Sequence, residues 1–112
     1  MTMAGWYEVD TSADGQFKFV LKAANGEVIL SSELYKAKAS AQAGIASVQV
    51  NCGADERYER NTASNGKFYF NLKAANSQVI GTSQMYASTD SREGGISSVK
   101  ANGASTTIKD NT

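Results

Sequence analysis

The residues able to do chemistry come in pairs, 51 positions apart (59 − 8 = 51). Glu8 and Glu59 each follow a tyrosine, at Tyr7-Glu8 and Tyr58-Glu59, and two carboxylates brought close can divide acid and base roles, as in hydrolases. Lys22 and Lys73 lie in one repeated stretch, Leu21-Lys22-Ala23-Ala24-Asn25 and Leu72-Lys73-Ala74-Ala75-Asn76. Two ammonium groups set side by side would suit a phosphate or carboxylate ligand. Ser32, Glu33 and Tyr35 recur as Ser83, Gln84 and Tyr86, in segments that precede helices, where loops often carry function. Cys52 is the single thiol, and Gly103 is its counterpart.

Each feature also has a plainer role. Lysine commonly covers the solvent face of a strand while Ala and Asn shape the following turn, and carboxylates commonly line the outer face of a sheet. A tyrosine can pack its ring and satisfy its hydroxyl locally. Cys52 has no histidine partner and reads as a free thiol after a helix. Trp6, Tyr7, Tyr58 and Tyr69, near Lys18, Lys67 and Arg57, would stack single-stranded nucleic acid if they faced outward. Parity turns Tyr69 outward, but the first copy has Lys18 in that place, so a symmetric stacking platform is missing.

Composition narrows the classes further. The chain has 112 residues, the length of one domain, and its 41% hydrophobic and 20% charged content fits a globular fold. Eleven basic residues balance eleven acidic ones, which removes the long-range attraction that nucleic acid or an anionic membrane exerts on a basic protein. With no histidine, Ser-His-Asp and Cys-His arrangements, His-ligated zinc and a histidine pH switch are excluded. One cysteine permits neither an internal disulfide nor a thiolate cluster. The start, Met1-Thr2-Met3-Ala4-Gly5, has no charged and apolar leader pattern, and no apolar run approaches the ~20 residues of a membrane helix. A cytoplasmic protein without catalytic residues, cofactor or metal is expected.

The elements that must position these residues are read from period and punctuation. Trp6 to Asp10 is a strand, followed by an Asp14-Gly15 turn. In the second strand, Gln16 to Ala23, Phe17, Phe19, Leu21 and Ala23 share the inward face. Asn25-Gly26 turns into a third strand, Glu27 to Ser31. From Lys38 to about Val50 the period becomes helical, with Ala41, Gly44, Ile45 and Val48 inward. Gly44 and Gly95 imply close approach of helix to sheet, since glycine costs a helix about 1 kcal/mol relative to alanine. The second copy repeats the strands from Arg57, with Phe68, Phe70, Leu72 and Ala74 inward. Its helix is expected from Ser88 or Asp90, with Gly95, Ile96 and Val99 as its stripe and Arg92 where the first copy has Ala41. Ser105 to Lys109 is the last strand.

A unit of about 50 residues buries too little surface alone, so the copies, about 5–54 and 55–112, should share one core. The expected fold is α+β: two tandem β-β-β-α-β repeats in one continuous antiparallel sheet, both helices on one face, with the strand after each helix crossing to the other copy. The stretch Gly15 to Tyr35 with Gly44-Ile45-Ala46-Ser47-Val48, together with Gly66 to Asn76, Gly81 to Tyr86 and Gly95-Ile96-Ser97-Ser98-Val99, resembles the YegP family of small bacterial proteins. The resemblance covers nearly the whole chain. It implies this two-unit fold with swapped C-terminal strands, and it brings no recognised catalytic or binding residues to carry over.

The functional expectation is therefore a non-enzymatic interaction or scaffold module acting on a protein or small-molecule partner. An alternative is a small-ligand or anion-binding protein whose surface is formed by Ser32, Glu33, Tyr35, Ser83, Gln84 and Tyr86 with Lys22 and Lys73. Single-stranded nucleic-acid binding is the weaker alternative, and no membrane association is expected. Strand exchange within one chain implies a monomer, while an exposed sheet edge leaves homodimer formation open.

Overall fold

Four copies of one five-residue turn set the strand lengths. Ser12–Gln16, Ala23–Glu27, Ala63–Lys67 and Ala74–Gln78 are each closed by the first residue's N–H on the fifth residue's carbonyl, at 2.7 to 2.9 Å. The fourth residue's N–H returns to the first carbonyl at 2.8 to 3.0 Å. The fourth position has positive φ and is glycine three times, Gly15, Gly26 and Gly66, but Ser77 at φ 69° the fourth time. The third position, Asp14, Asn25, Asn65 or Asn76, accepts from the fifth residue's N–H at 3.0 to 3.3 Å. Asn25 and Asn76 of the repeated stretch are thereby turn residues.

The structure is a computed structural model and describes residues 5–112; Met1 to Ala4, where no leader pattern is expected, lie outside them. In chain order the elements are β1 (Trp6–Thr11), β2 (Phe17–Lys22), β3 (Val28–Ser31), α1 (Lys38–Asn51), a 3-10 turn (Asp55–Arg57), β4 (Tyr58–Thr62), β5 (Phe68–Lys73), β6 (Val79–Thr82), α2 (Thr89–Asn102) and β7 (Ile108–Asp110). One seven-stranded sheet runs in the order β4-β5-β6-β3-β2-β1-β7. The two copies join at its centre, where Ser31 pairs with Thr82. Ser88 caps α2 by accepting the Ser91 N–H at 3.0 Å, whereas Ala37 ahead of α1 has no side chain to do so.

The sheet is antiparallel at every junction except one, where β7 runs parallel to β1 with Tyr7 opposite Ile108 and Glu8 opposite Lys109. The repeat explains this departure from the all-antiparallel expectation. β4 follows α1 and pairs antiparallel with β5, Glu59 opposite Asn71. Under the pseudo-twofold, the strand after α2 should take the same place beside β2. β1 already occupies it, with Glu8 opposite Val20. β7 keeps its direction, moves one place outward and so lies parallel to β1. The C-terminal strand is swapped back to the first repeat as expected, but as the outermost strand.

Both helices lie on the face that carries Tyr7, Val9, Phe19, Leu21, Leu30, Tyr58, Phe70 and Leu72, and their inward residues Ala41, Ile45, Val48, Ile96 and Val99 complete one buried cluster. In each repeat a bulge, after Leu21 and after Leu72 respectively, breaks the strict alternation and adds Ile29 and Ile80 to the core. Gly44 and Gly95 do accommodate a close approach, but of a side chain rather than of the sheet backbone. A Cβ on Gly44 would stand 2.7 Å from the Tyr35 hydroxyl, and one on Gly95 would stand 2.2 Å from that of Tyr86.

Two pairs of equivalent residues meet across the pseudo-twofold. Leu30 fills the space over Gly81, where a Cβ would lie 2.6 Å from the leucine Cγ. Cys52, at the end of α1, does the same over Gly103, with its Sγ 2.7 Å from where a Cβ would lie. Since 30 + 51 = 81 and 52 + 51 = 103, each large residue faces its own counterpart. There is room for one side chain, and the second copy supplies glycine both times.

Candidate functional site

The helix-free face of the sheet carries most of the polar strand residues, Arg60 of β4 and Asp110 of β7 being turned to the helix side. Register places Lys109, Glu8, Val20, Ser31, Thr82, Asn71 and Glu59 in one row across all seven strands. The centre of the row holds uncharged side chains, Val20, Ser31, Thr82 and Asn71, and each end holds an ion pair. Alternation along a strand dictates this face: Glu8 stands between the buried Tyr7 and Val9, and Asn71 between the buried Phe70 and Leu72.

At one end, Glu8 accepts from the Trp6 indole N–H at 2.8 Å and from Asn111 at 3.2 Å, and pairs with the Lys22 ammonium at 3.0 Å. Lys109 lies over the Trp6 ring, 4.8 Å from its centroid. The Trp6 hydrogen bond first, and the Lys22 ammonium with it, hold the Glu8 carboxyl down to about 2, far below its ordinary 4.5. At the other end, Glu59 pairs with Lys73 at 2.7 Å and accepts from Asn61 and Asn71 at 3.3 and 3.5 Å. Lys73, then the two asparagines, lower its pKa as well.

This geometry separates the pairs that the sequence suggested. Glu8 and Glu59 share a face, but five strand spacings of ~4.8 Å put them about 24 Å apart, beyond the reach of an acid and base couple. Lys22 and Lys73 lie three strands apart and at opposite ends of antiparallel strands, about 20 Å from each other by the same spacings. Each ammonium is neutralised by its own glutamate.

The loop residues have structural partners. Ser32 Oγ accepts the Phe19 N–H at 2.9 Å and donates to the Glu33 carbonyl at 2.7 Å. Ser83 repeats this with Phe70 at 2.9 Å and Gln84 at 2.8 Å. Each serine hydroxyl thus extends the ladder where the chain leaves the strand. Tyr35 and Tyr86 pair through their backbones with Phe17 and Phe68, and their rings stack on Phe19 and Phe70 at 6.3 and 6.4 Å. The two loops leave the centre of the sheet from opposite ends of β3 and β6, so they form no shared groove. Cys52 is buried, and burial raises its thiol pKa, the opposite of an activated nucleophile. Tyr7 and Tyr58, aromatic candidates above, face the core. Their hydroxyls donate to the Gly103 and Cys52 carbonyls at 2.5 and 2.6 Å, closing the helix ends, and burial raises both pKa values.

Residues 12–59 and 63–110 both match the family described as Domain of unknown function (DUF1508). The chain belongs to the DUF1508 family. Each match of this DUF1508 chain opens before the second strand of a copy and closes in the strand after the helix, consistent with β1 as an additional strand. It is 70% identical to the UPF0339 protein YegP of Shigella flexneri over 98% of this chain and 100% of the relative. It is 68% identical to a UPF0339 protein of Acinetobacter baylyi over 96% and 97%. The solution NMR structure of the Escherichia coli protein of unknown function yegP covers 100% of this chain with 97% of its own, at 68% identity and TM-score 0.95. That of a UPF0339 protein from Shewanella oneidensis covers 96% and 92%, at 62% identity and TM-score 0.91.

Sequence reasoning missed the middle of the row, Val20, Ser31, Thr82 and Asn71. Parity alone turned them outward, but their alignment depends on the Ser31 to Thr82 junction, which no local pattern encodes. Trp6, a stacking candidate by residue type, instead donates its indole N–H to Glu8 two residues on, a contact that no local pattern signals.

Proposed function

We propose that this DUF1508 chain is a non-enzymatic cytoplasmic interaction module whose protein partner lies on the helix-free face of the sheet. The observation that carries the reading is the row from Lys109 to Glu59. It is a strip across all seven strands with an uncharged centre and a charged, hydrogen-bonding element at each end. Non-obligate protein interfaces have this mixed polar composition. The alternative site in the two loops is less well supported, because the Ser32 and Ser83 hydroxyls and the Tyr35 and Tyr86 rings are already engaged. Among the described residues no helix is long and apolar enough to cross a membrane.

The test is site-specific photocrosslinking in bacterial cells from Ser31 and Thr82, with Gln42 of α1 as the control. The reading expects a discrete protein adduct from the two sheet positions and none from the helix. It fails if neither sheet position gives a protein adduct, or if the purified protein turns over a metabolite and loses that activity in E8Q or E59Q.

A further inference from the structure

The two ends of the sheet are closed by different means, and the difference is concentrated at the equivalent residues Val9 and Arg60 (9 + 51 = 60). Both point toward the helix face, Val9 opposite Phe19 and Arg60 opposite Phe70. Val9 is buried, and its strand accepts β7 as an outer neighbour: the Tyr7 N–H donates to Thr107 at 2.9 Å and the Asn111 N–H to Val9 at 2.8 Å. Among the described residues nothing pairs with the outer side of β4. Its Tyr58 N–H, equivalent to that of Tyr7, donates instead to the carbonyl of Asp55 in the preceding 3-10 turn.

Arg60 itself is tied into an ionic cluster laid over this end of the fold. Its guanidinium forks onto Glu93 of α2 at 2.8 and 2.9 Å and reaches Asp55 Oδ1 at 3.0 Å, and Lys100 donates to the same oxygen at 2.9 Å. The first repeat has no charge at the matching positions, Val9, Gln42 and Gln49. Inward-pointing charge is one of the devices that keep a free strand edge from recruiting another strand.

We propose that Arg60, held by Glu93 and Asp55, guards the β4 edge against antiparallel pairing with β4 of a second copy and so keeps the chain monomeric. β4 has five residues, Tyr58–Thr62, with Arg60 at the centre. Two such strands paired about a twofold axis place Arg60 directly opposite Arg60, with Cβ atoms roughly 4.5–5.5 Å apart. That contact sets like charges together and pulls each guanidinium off its carboxylates. A valine there, as in β1, carries neither cost. The other edge, β7, is three residues long, and shortness is itself protective.

The experiment compares wild type with R60V/E93Q, which copies the first repeat, by sedimentation velocity from tens to several hundred micromolar. Amide hydrogen exchange is read at the same concentrations. The wild type should stay monomeric, and the variant should double its mass as concentration rises, with protection appearing at β4 amides and unchanged at β7. The proposal is overturned by a folded variant that remains monomeric, by a dimer protected elsewhere than β4, or by a wild type that dimerises through β4. If the double variant loses the wild-type circular dichroism, R60Q, which keeps a polar side chain, replaces it. A monomeric R60Q overturns the proposal equally.

Discussion

The contact between Leu30 and Gly81 allows a test in which the sign of an effect, and not its size alone, is at stake. Leu30 is fully buried, and a Cβ on Gly81 would lie 2.6, 2.7 and 3.0 Å from its Cγ and two Cδ atoms, against the ~3.5–4.0 Å of a relaxed carbon contact. G81A should therefore destabilise by about 1–3 kcal/mol through overpacking. L30A should cost about 2–5 kcal/mol through the cavity it leaves. In the L30A background the new methyl enters that cavity, and alanine is also worth roughly 0.5–1 kcal/mol more than glycine within a strand. There G81A should be neutral or stabilising. Urea unfolding followed by far-UV circular dichroism, with the slope checked for constancy, yields the four midpoints of the cycle. If G81A destabilises by the same amount in both backgrounds, within the ~0.5 kcal/mol at which independent sites add, the two residues do not compete for one space. The pseudo-twofold account of the repeat junction then fails.

Three further outcomes follow from the geometry. S77G should stabilise by roughly 0.5–1 kcal/mol, because Ser77 takes the positive φ of 69° that glycine takes in the other three turns and left-handed backbone costs an L-residue about 1–2 kcal/mol; a higher thermal midpoint is the readout. G95A should lower stability even though alanine favours helices by about 1 kcal/mol, since its Cβ would meet the Tyr86 hydroxyl at 2.2 Å; in a Y86A background the same change should raise the midpoint. Glu8 is held at about 2 in the folded state against an ordinary 4.5, so the stability it contributes is present above pH 4.5 and lost as pH falls from there toward 2. The thermal midpoint of E8Q should decline less steeply than that of wild type across this window, and parallel curves would refute the role of the Trp6 and Lys22 contacts.

Much of the fold was legible because its local signals agree. The Asp14-Gly15, Asn25-Gly26 and Asn65-Gly66 turns, the alternation of Phe17, Phe19 and Leu21, and the stripe of Ala41, Gly44, Ile45 and Val48 each specify one element without reference to another. What stayed hidden depends on tertiary contacts that no local pattern encodes. The parallel place of β7 follows from competition with β1 for one slot beside β2. The space at Gly44 and Gly95 is filled by Tyr35 and Tyr86, nine residues upstream (44 − 35 = 9), and glycine in a helix says that something is close without saying what. The candidate site was legible only as pairs. Repetition made Lys22 with Lys73, and Ser32 with Ser83, look like partners, although equivalence under a twofold axis brings residues together only when they lie near that axis.

That distinction also orders the differences between the repeats. Core residues are retained, as in Tyr7 and Tyr58, Phe19 and Phe70, Leu21 and Leu72, Ile45 and Ile96, and Val48 and Val99. Each sits away from the axis in its own half of one shared core. Leu30 with Gly81, and Cys52 with Gly103, differ because they meet on the axis and one volume cannot hold two side chains. Val9 and Arg60 differ because one end of the sheet has β7 and the other does not. The open face differs for neither reason. Lys18 and Val20 of β2 stand where β5 has Tyr69 and Asn71, all outward-facing and free of the axis and the edges. The partner proposed for this face would meet a lysine and valine half and a tyrosine and asparagine half, joined at Ser31 and Thr82. The row is twofold in its end ion pairs and asymmetric in its middle, so under the proposed function the partner would be a single copy of an asymmetric protein rather than a symmetric dimer.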